Sequence, residues 1–341
     1  MKTVTSKKDI FCFICPRHCA LTATFDDNGR MIKAAADRKS GELNDICDSA
    51  KGPNTIPEVY NHKKRLEFPM KRAGERGQNL WQRISWDEAL DTIAARMKHY
   101  RDKYGPESIA MVLGEPKTMD YAFAQRFATF LETPNVITPG NYCGVQTGQA
   151  DHFTFGTMNI CADNEGDPRC IIVWGSNPLN TSSCFRGMPQ ADVLRSLKNG
   201  CKLIMTEPGK NRYCEKADHW LRLKPGSDGV LAMGMIKVII DEALYDKEFV
   251  ANYSVGFDQL KKEVANFSVE DVAAETWIDA DTVREVARIY ATSKPGMILW
   301  GNALENSVAA LQICRAVTLL RGLTGNLGVH GGEVSHTPAQ F

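Results

Sequence analysis

From about residue 168 the chain repeats one unit: a short continuous apolar run, a turn rich in glycine or proline, and a stretch of helical periodicity. Cys170-Ile-Ile-Val-Trp174 leads into Gly175-Ser-Asn-Pro178, Lys202-Leu-Ile-Met205 into Thr206-Glu-Pro-Gly209, and Met297-Ile-Leu-Trp300 into Gly301-Asn-Ala-Leu-Glu305. Apolar runs without polar alternation are those of strands covered on both faces. Residues 219–223 read as a further strand, and 191–198, 230–243, 279–292 and 306–323 read as the covering helices. Strand, turn and helix in this order predict an α/β fold with a doubly wound parallel sheet.

Ligands of such sheets bind beyond the carboxyl ends of the strands, where these three turns fall. Gly175 permits close backbone approach to a phosphate. Ser176 and Asn177 can donate to phosphate or ribose. Glu207, beside Pro208, can accept from a guanine edge. Asp228, closing Pro225-Gly-Ser-Asp228, can do likewise, and an N-cap explains it equally well. The chain has no G-x-G-x-x-G and no Walker A sequence.

A second constraint lies near the N-terminus. Cys12-Phe-Ile-Cys15-Pro-Arg-His-Cys19, with a distant Cys47, brings three thiols onto one loop and a fourth from elsewhere. Such a set suits a 4Fe–4S cluster or a structural zinc. Zinc usually takes two paired C-x2-4-C units or Cys2His2, and no second pair surrounds Cys47, so the spacing favours iron. Around it, residues 21–25 and 31–35 read as strands joined by the turn Asp26-Asp-Asn-Gly-Arg30, which predicts a small β-rich domain over 1–64.

Between these regions, Ser85 and Glu88 form the two ends of a capping box, with Ile93, Met97 and Tyr100 at helical spacing behind them. Gly105-Pro106 ends that helix. Residues 109–113 read as a buried strand and 118–131 as a second helix. Residues 138–147 read as an irregular loop carrying Cys143.

Lys+Arg and Asp+Glu balance at 41 each, so no global field points to nucleic acid. No apolar run is long enough to span a bilayer, and the N-terminal residues lack a signal-peptide pattern, so a cytoplasmic location is expected. Most of the 11 cysteines are expected to be metal ligands or inert core thiols rather than disulfides.

Taken together, the cysteine run, Lys71-Arg-Ala-Gly-Glu-Arg-Gly77, Trp81-Gln-Arg-Ile-Ser-Trp-Asp-Glu-Ala-Leu90, the loop thiol, Trp174-Gly-Ser-Asn-Pro178, Pro225-Gly-Ser-Asp228 and Leu323-Thr-Gly-Asn-Leu-Gly328 resemble the molybdopterin oxidoreductase family. This is the dimethyl sulfoxide reductase superfamily of molybdenum or tungsten bis-pterin-guanine-dinucleotide enzymes. The resemblance implies that Cys12, Cys15, Cys19 and Cys47 hold a 4Fe–4S cluster and that Cys143 is the protein ligand of Mo or W. A thiolate suits a soft-ligand metal site already held by dithiolenes. Gly175, Ser176, Asn177, Glu207, Pro208 and Asp228 would bind one guanine dinucleotide arm. The implied chemistry is two-electron substrate transformation at the metal, with single electrons leaving through the cluster. The alternatives are a redox-neutral hydratase or transhydroxylase on the same scaffold, and a non-catalytic cluster-binding partner.

Within the family the chain looks most like the acetylene hydratase-like members. Three positions depart from known patterns. Pro16 stands where acetylene hydratase has its acid/base Asp. Gly144 stands where formate dehydrogenases have a His. Ser49 stands where many members have a Lys or Arg between cluster and pterin, which leaves Lys51 as the nearest base. The expected organisation is a cluster domain over 1–64, the first part of an α/β domain over 65–138, and a pterin-dinucleotide domain over 139–335. Family catalytic chains run about twice this length, so a C-terminal pterin-capping domain is expected to be absent, and a C-terminal half or complementary subunit to be the partner. An electron-transfer iron–sulfur subunit and a small-molecule substrate are the other partners implied.

Overall fold

The computed structural model describes residues 6–12, 20–36, 51–114, 119–139, 143–158, 160–163, 165–178, 188 and 190–335. The chain divides into two compact units, Met1–Asn141 and Tyr142–Phe341.

The first unit opens with an antiparallel three-stranded sheet in the order β1 (Ser6–Phe11), β2 (Ala20–Phe25), β3 (Met31–Ala36). The hairpin read from residues 21–35 is present, and β1 adds a strand to it. Asp26 shapes the turn, its Oδ1 accepting from the N–H groups of Asn28 (3.1 Å) and Arg30 (2.9 Å). Leu21, Ala34 and Cys12 form a small buried cluster behind the sheet. Arg30 donates to Asn61 through Nε (2.6 Å to Oδ1) and Nη2 (2.8 Å to the carbonyl), which ties helix α1 (Ile56–Asn61) to β3.

The hairpin of β4 (Met70–Arg72) and β5 (Trp81–Arg83) leads into helix α2 (Trp86–Tyr104). Ser85 is its N-cap, accepting from Glu88 N–H at 3.1 Å. The reciprocal arm of the expected capping box is replaced: the Glu88 carboxylate pairs with Lys71 Nζ of the hairpin at 3.2 Å. Gly105, at φ 87°, ends the helix as expected. Residues 109–113 do not form the buried strand expected of them. Only Met111–Val112 (β6) pairs, with Val136–Ile137 (β7), and Val112 is 73 % exposed. A buried parallel strand needs a cover on each face, and β6 has a single two-residue neighbour among the described residues. Helix α3 (Asp120–Leu131) lies between them in sequence. No residue of α2 is buried, and Leu90 and Ile93 are more than half exposed.

The second unit begins with helix α4 (Val145–Phe155) and strand β8 (Ile160–Ala162). The doubly wound α/β sheet expected from the sequence follows. Its strands are β9 (Cys170–Trp174), β10 (Lys202–Thr206), β11 (His219–Leu221) and β12 (Gly296–Trp300), all parallel, in the order β11-β10-β9-β12. Alternate residues of each strand feed two separate cores. Ile171, Val173, Leu203, Met205, Met297 and Leu299 face helix α5 (Gln190–Lys198) through Val193. Ile172, Trp174, Ile204 and Ile298 pack into the cluster built by helices α6 (Asp228–Asp241), α10 (Ala280–Thr292) and α11 (Ala310–Leu323).

Between α6 and α10 run α7 (Lys247–Tyr253), α8 (Phe257–Val264) and α9 (Val269–Thr276), which apolar periodicity leaves unassigned. Their starts are nevertheless written in capping residues: Asp246 accepts from Phe249 N–H at 2.9 Å, and Ser268 with Asp271 forms a full capping box. Residues 306–309 do not join α11. The chain there follows the 3-10 turn Asn302–Glu305, and helix begins only at Ala310. No helix among the described residues is long and apolar enough to cross a membrane.

Strand β13 (Glu333–Ser335) pairs antiparallel with β8, and Glu333 accepts the Ile298 N–H at the free edge of β12. Arg321 of α11 is buried there between two carboxylates, with Nε 2.6 Å from Glu333 and Nη1 3.3 Å from Asp151 of α4. Its Nη2 donates to the Ile298 carbonyl at 3.2 Å, and the guanidinium lies 4.0 Å over the Trp300 ring. Burial pushes the Glu333 carboxyl up to about 7, against the pull of Arg321 and the Ile298 N–H, and Asp151 adds to the rise. A carboxyl raised in this way contributes stability that is complete below its ordinary value, 4.5, and lost as the pH rises through about 7. The thermal midpoint is expected to fall across that window, and Glu333→Gln to flatten the fall. Thermal melts from about pH 5 to about pH 8 measure it, and an equal fall in both proteins would exclude Glu333 as the source.

Candidate functional site

Pairing register brings the ends of the central strands level. Thr206 of β10 and Trp300 of β12 both lie opposite Trp174 of β9. The three following turns therefore leave the sheet side by side, at the carboxyl edge where ligands of such sheets bind.

Two of these turns interlock through glycine. Gly175 N–H donates to the Thr206 carbonyl (3.0 Å), and Gly301 N–H donates to the Trp174 carbonyl (2.9 Å). A Cβ at Gly301 would stand 2.2 Å from the Gly175 carbonyl oxygen, and one at Gly175 would meet Ala303 Cβ at 2.8 Å. Gly175 also has φ +56°. The missing side chain at residue 175 thus has a packing reason, and it leaves Ser176 and Asn177 half-buried just beyond the crossing.

The β10 and α6 side of the edge is acidic. Glu207 is half-buried, held through its backbone by Leu221 and by the Trp220 indole, whose Nε1 donates to the Glu207 carbonyl at 2.8 Å. Burial raises the Glu207 carboxyl above its ordinary range; the Gly209 N–H pulls it down, and the charge of Asp228 adds to the rise. Pro208 is exposed beside it. Asp228 is the first residue of α6, not its cap. Ser227 holds the N-cap position and turns its hydroxyl onto the Lys224 carbonyl at 2.8 Å. Asp228 Oδ1 instead accepts from Trp174 Nε1 at 2.9 Å, which ties the start of α6 to the end of β9. The Thr206 hydroxyl, at the end of β10, is buried with no hydrogen-bond partner among the described residues.

The third turn does different work. Residues 143–147 are not all loop as expected: helix α4 starts at Val145 behind Gly144, whose φ is +78°. The buried Glu305 carboxylate, from the turn after β12, reaches this helix start. Gly144 N–H donates to Oε2 (2.6 Å), Thr147 N–H to Oε1 (3.3 Å), and the Thr147 hydroxyl bonds the same oxygen. At the other end of that turn, Asn302 Nδ2 lies 3.2 Å from Cys143 Sγ. Cys143 is exposed, whereas Cys170, Cys201, Cys214 and Cys314 are buried as inert core thiols are. Burial pushes the Cys201 thiol up to about 12, and Asp218 adds to the rise.

Sequence reasoning names Cys143, Gly175, Ser176, Asn177, Glu207 and Asp228, and all lie in the second unit. It misses Asn302 and Glu305 as supports of the thiol loop and Trp174 as the partner of Asp228. Their motifs are visible, but the partners stand 158 to 161 residues away for Glu305 and 54 for Trp174. Of the expected cluster ligands, Cys12 is buried after β1, while Cys15, Cys19 and Cys47 lie outside the described residues. Lys51 opens the short helical segment Lys51–Thr55 that runs into α1. Among the described residues no group of three or more His, Cys, Asp or Glu side chains is placed to hold a metal ion.

A parallel sheet wound on both faces, with an acidic carboxyl edge and an exposed thiol beside it, defines the class as an α/β protein. Residues 65–338 match the molybdopterin oxidoreductase family, and the chain belongs to it. It is 35 % identical over 341 aligned residues to the acetylene hydratase of Syntrophotalea acetylenica, covering 98 % of this chain and 45 % of that protein. It is 30 % identical to formate dehydrogenase H of Escherichia coli strain K12, covering 93 % of this chain and 44 % of that protein. The solved structure of acetylene hydratase from Pelobacter acetylenicus superposes with a TM-score of 0.79 at 34 % identity, over 97 % of this chain and 45 % of that one. The chain spans less than half the length of these relatives.

Glu305→Ala removes the acceptor of two backbone N–H groups and leaves the Thr147 hydroxyl only the Gly144 carbonyl at 3.3 Å. It is expected to cost about 1–3 kcal/mol, read as a lowered urea midpoint; an unchanged midpoint would show that the carboxylate does not hold the helix start.

Proposed function

We propose that this chain carries the metal-ligand loop and one dinucleotide site of a molybdenum- or tungsten-pterin oxidoreductase. The observation that carries this reading is the exposed Cys143 thiol, held by Asn302 at the same sheet edge as the Gly175 turn, in a chain of this family. The residues present suit the group. A soft sulfur donor faces outward, the glycine crossing leaves backbone rather than side chain at the edge, and the Thr206 hydroxyl there lacks a partner among the described residues.

The bound metal-pterin group would supply two-electron exchange with a small-molecule substrate. Cys143 would be its protein ligand. Gly175, Ser176 and Asn177 would meet phosphate and ribose, while Glu207 beside Pro208 and Asp228 accept from a guanine edge, with Trp174 fixing the direction of Asp228. Cys12, Cys15, Cys19 and Cys47 would hold the 4Fe–4S cluster that passes single electrons on, with Lys51 as the nearest base between cluster and pterin. A redox-neutral hydratase is the second reading, favoured by the 35 % identity to a protein named acetylene hydratase. Gly144 bears on the choice of substrate. Formate dehydrogenases carry a His at this position, and glycine offers no side chain in its place, which speaks against formate.

We propose further that activity requires the length of the relatives that this chain does not span, carried on the same polypeptide or on a complementary one. An electron-accepting iron–sulfur subunit and a cytoplasmic setting complete the proposal.

Cys143→Ala is expected to abolish turnover with a dye acceptor while leaving the cluster's EPR signal intact. Unchanged turnover would remove Cys143 from the site, and dye-independent turnover in the wild type would favour the hydratase.

A further inference from the structure

Among the described residues Asn302 is the side chain that meets the Cys143 sulfur, and nothing in the sequence pattern assigns it a role. The two ends of a single 3-10 turn, Asn302–Glu305, grip the thiol loop from both sides. Glu305 takes the backbone, through the N–H groups of Gly144 and Thr147. Asn302 takes the side chain, with Nδ2 at 3.2 Å from Sγ. This division has a chemical consequence. A helix start normally offers free N–H groups to an anion beside it. Here two N–H groups of the α4 start are committed to a carboxylate, so they do not serve the sulfur. A thiolate bound to a metal accepts hydrogen bonds and cannot donate one, so the amide must present its NH2 group.

Resting on the reading of Cys143 as the metal ligand, we propose that Asn302 is a positioning residue for that ligand: its amide N–H fixes the direction of the sulfur and draws charge from it. Hydrogen bonds to ligating sulfur weaken its donation and raise the reduction potential of the metal it holds. The turn is anchored by β12 and by the Gly301 crossing against Gly175, so the donor is delivered by the sheet and not by the thiol's own loop.

The test uses the cofactor-loaded holoenzyme, with the length that this chain does not span present, carrying Asn302→Leu, Asn302→Asp or Cys143→Ser. Four quantities are read: metal content per chain, thermal midpoint, the g-values of the metal in its paramagnetic state, and its midpoint potential. Asn302→Leu is expected to keep wild-type metal content and thermal midpoint, to shift the g-values, and to move the potential to more negative values. Asn302→Asp, which sets an anion against the sulfur, is expected to move the potential further the same way. Cluster signals should not change in either. If both Asn302 variants keep the wild-type g-values and potential while Cys143→Ser shifts them, the role of Asn302 is overturned and the ligand assignment stands. If Cys143→Ser also leaves the metal spectrum unchanged, the ligand assignment fails and the inference fails with it.

Discussion

The buried Arg321 guanidinium is the interaction on which the second unit depends. Removing a charge of this size from water costs several kcal/mol even after relaxation, so it persists only with full compensation. Compensation comes from four directions: Asp151 on α4, Glu333 on β13, the Ile298 carbonyl in β12 and the face of Trp300 at the strand's end. Thr318 adds a hydroxyl to Asp151 at 3.2 Å, and Glu333 accepts the Ile298 N–H at 2.6 Å. One side chain thereby sets α11, α4 and β13 against the end of the sheet. Loss of any partner leaves a charge stranded in a dry layer, which is more damaging than the intact group is stabilising.

The consequence reaches the sheet edge because α4 is held at both ends. Asp151 ties its body to Arg321, and Glu305 ties its first turn to the segment after β12. Cys143 precedes that turn, so the position of the thiol follows from two buried carboxylate contacts made far from it in sequence. The same edge carries the Glu207–Asp228 pair. The charge of Asp228 adds to the rise of the Glu207 carboxyl, and the Trp174 indole holds Asp228 in place. An edge that sets half-buried carboxylates on one side of the Ser176–Asn177 turn restricts which ligand fits by charge.

Much of this architecture is legible in the chain itself. Continuous apolar runs such as Cys170-Ile-Ile-Val-Trp174 announce strands covered on both faces, and the turns after them announce the ligand edge. Helices with a long apolar stripe, α6 and α10, are read within two residues of their observed limits. Elements whose stability comes from their ends are not: α7 and α9 are short, and their signal is an N-cap, Asp246 or Ser268, rather than a stripe. The strand at 109–113 fails for the opposite reason. Its apolar run is real, but an apolar run becomes a strand only where partners and covers meet it, and β7 offers two residues.

The candidate site divides in the same way. Residue type and spacing are enough to single out Cys143, the Gly175 turn, Glu207 and Asp228, because glycine at a strand end, an acid at a helix start and a loop thiol each have few physical uses. Which groups hold them is decided only in three dimensions. Glu305 finds α4, Asn302 finds the sulfur and Trp174 finds Asp228 because strand register brings the ends of β9, β10 and β12 level. Sequence by itself determines the periodic, local terms: apolar alternation, capping and turn chemistry. The pairing of polar groups 54 to 161 residues apart is a property of the packed sheet, since a hydrogen bond requires its partners within about 3 Å, and only the tertiary structure sets that distance.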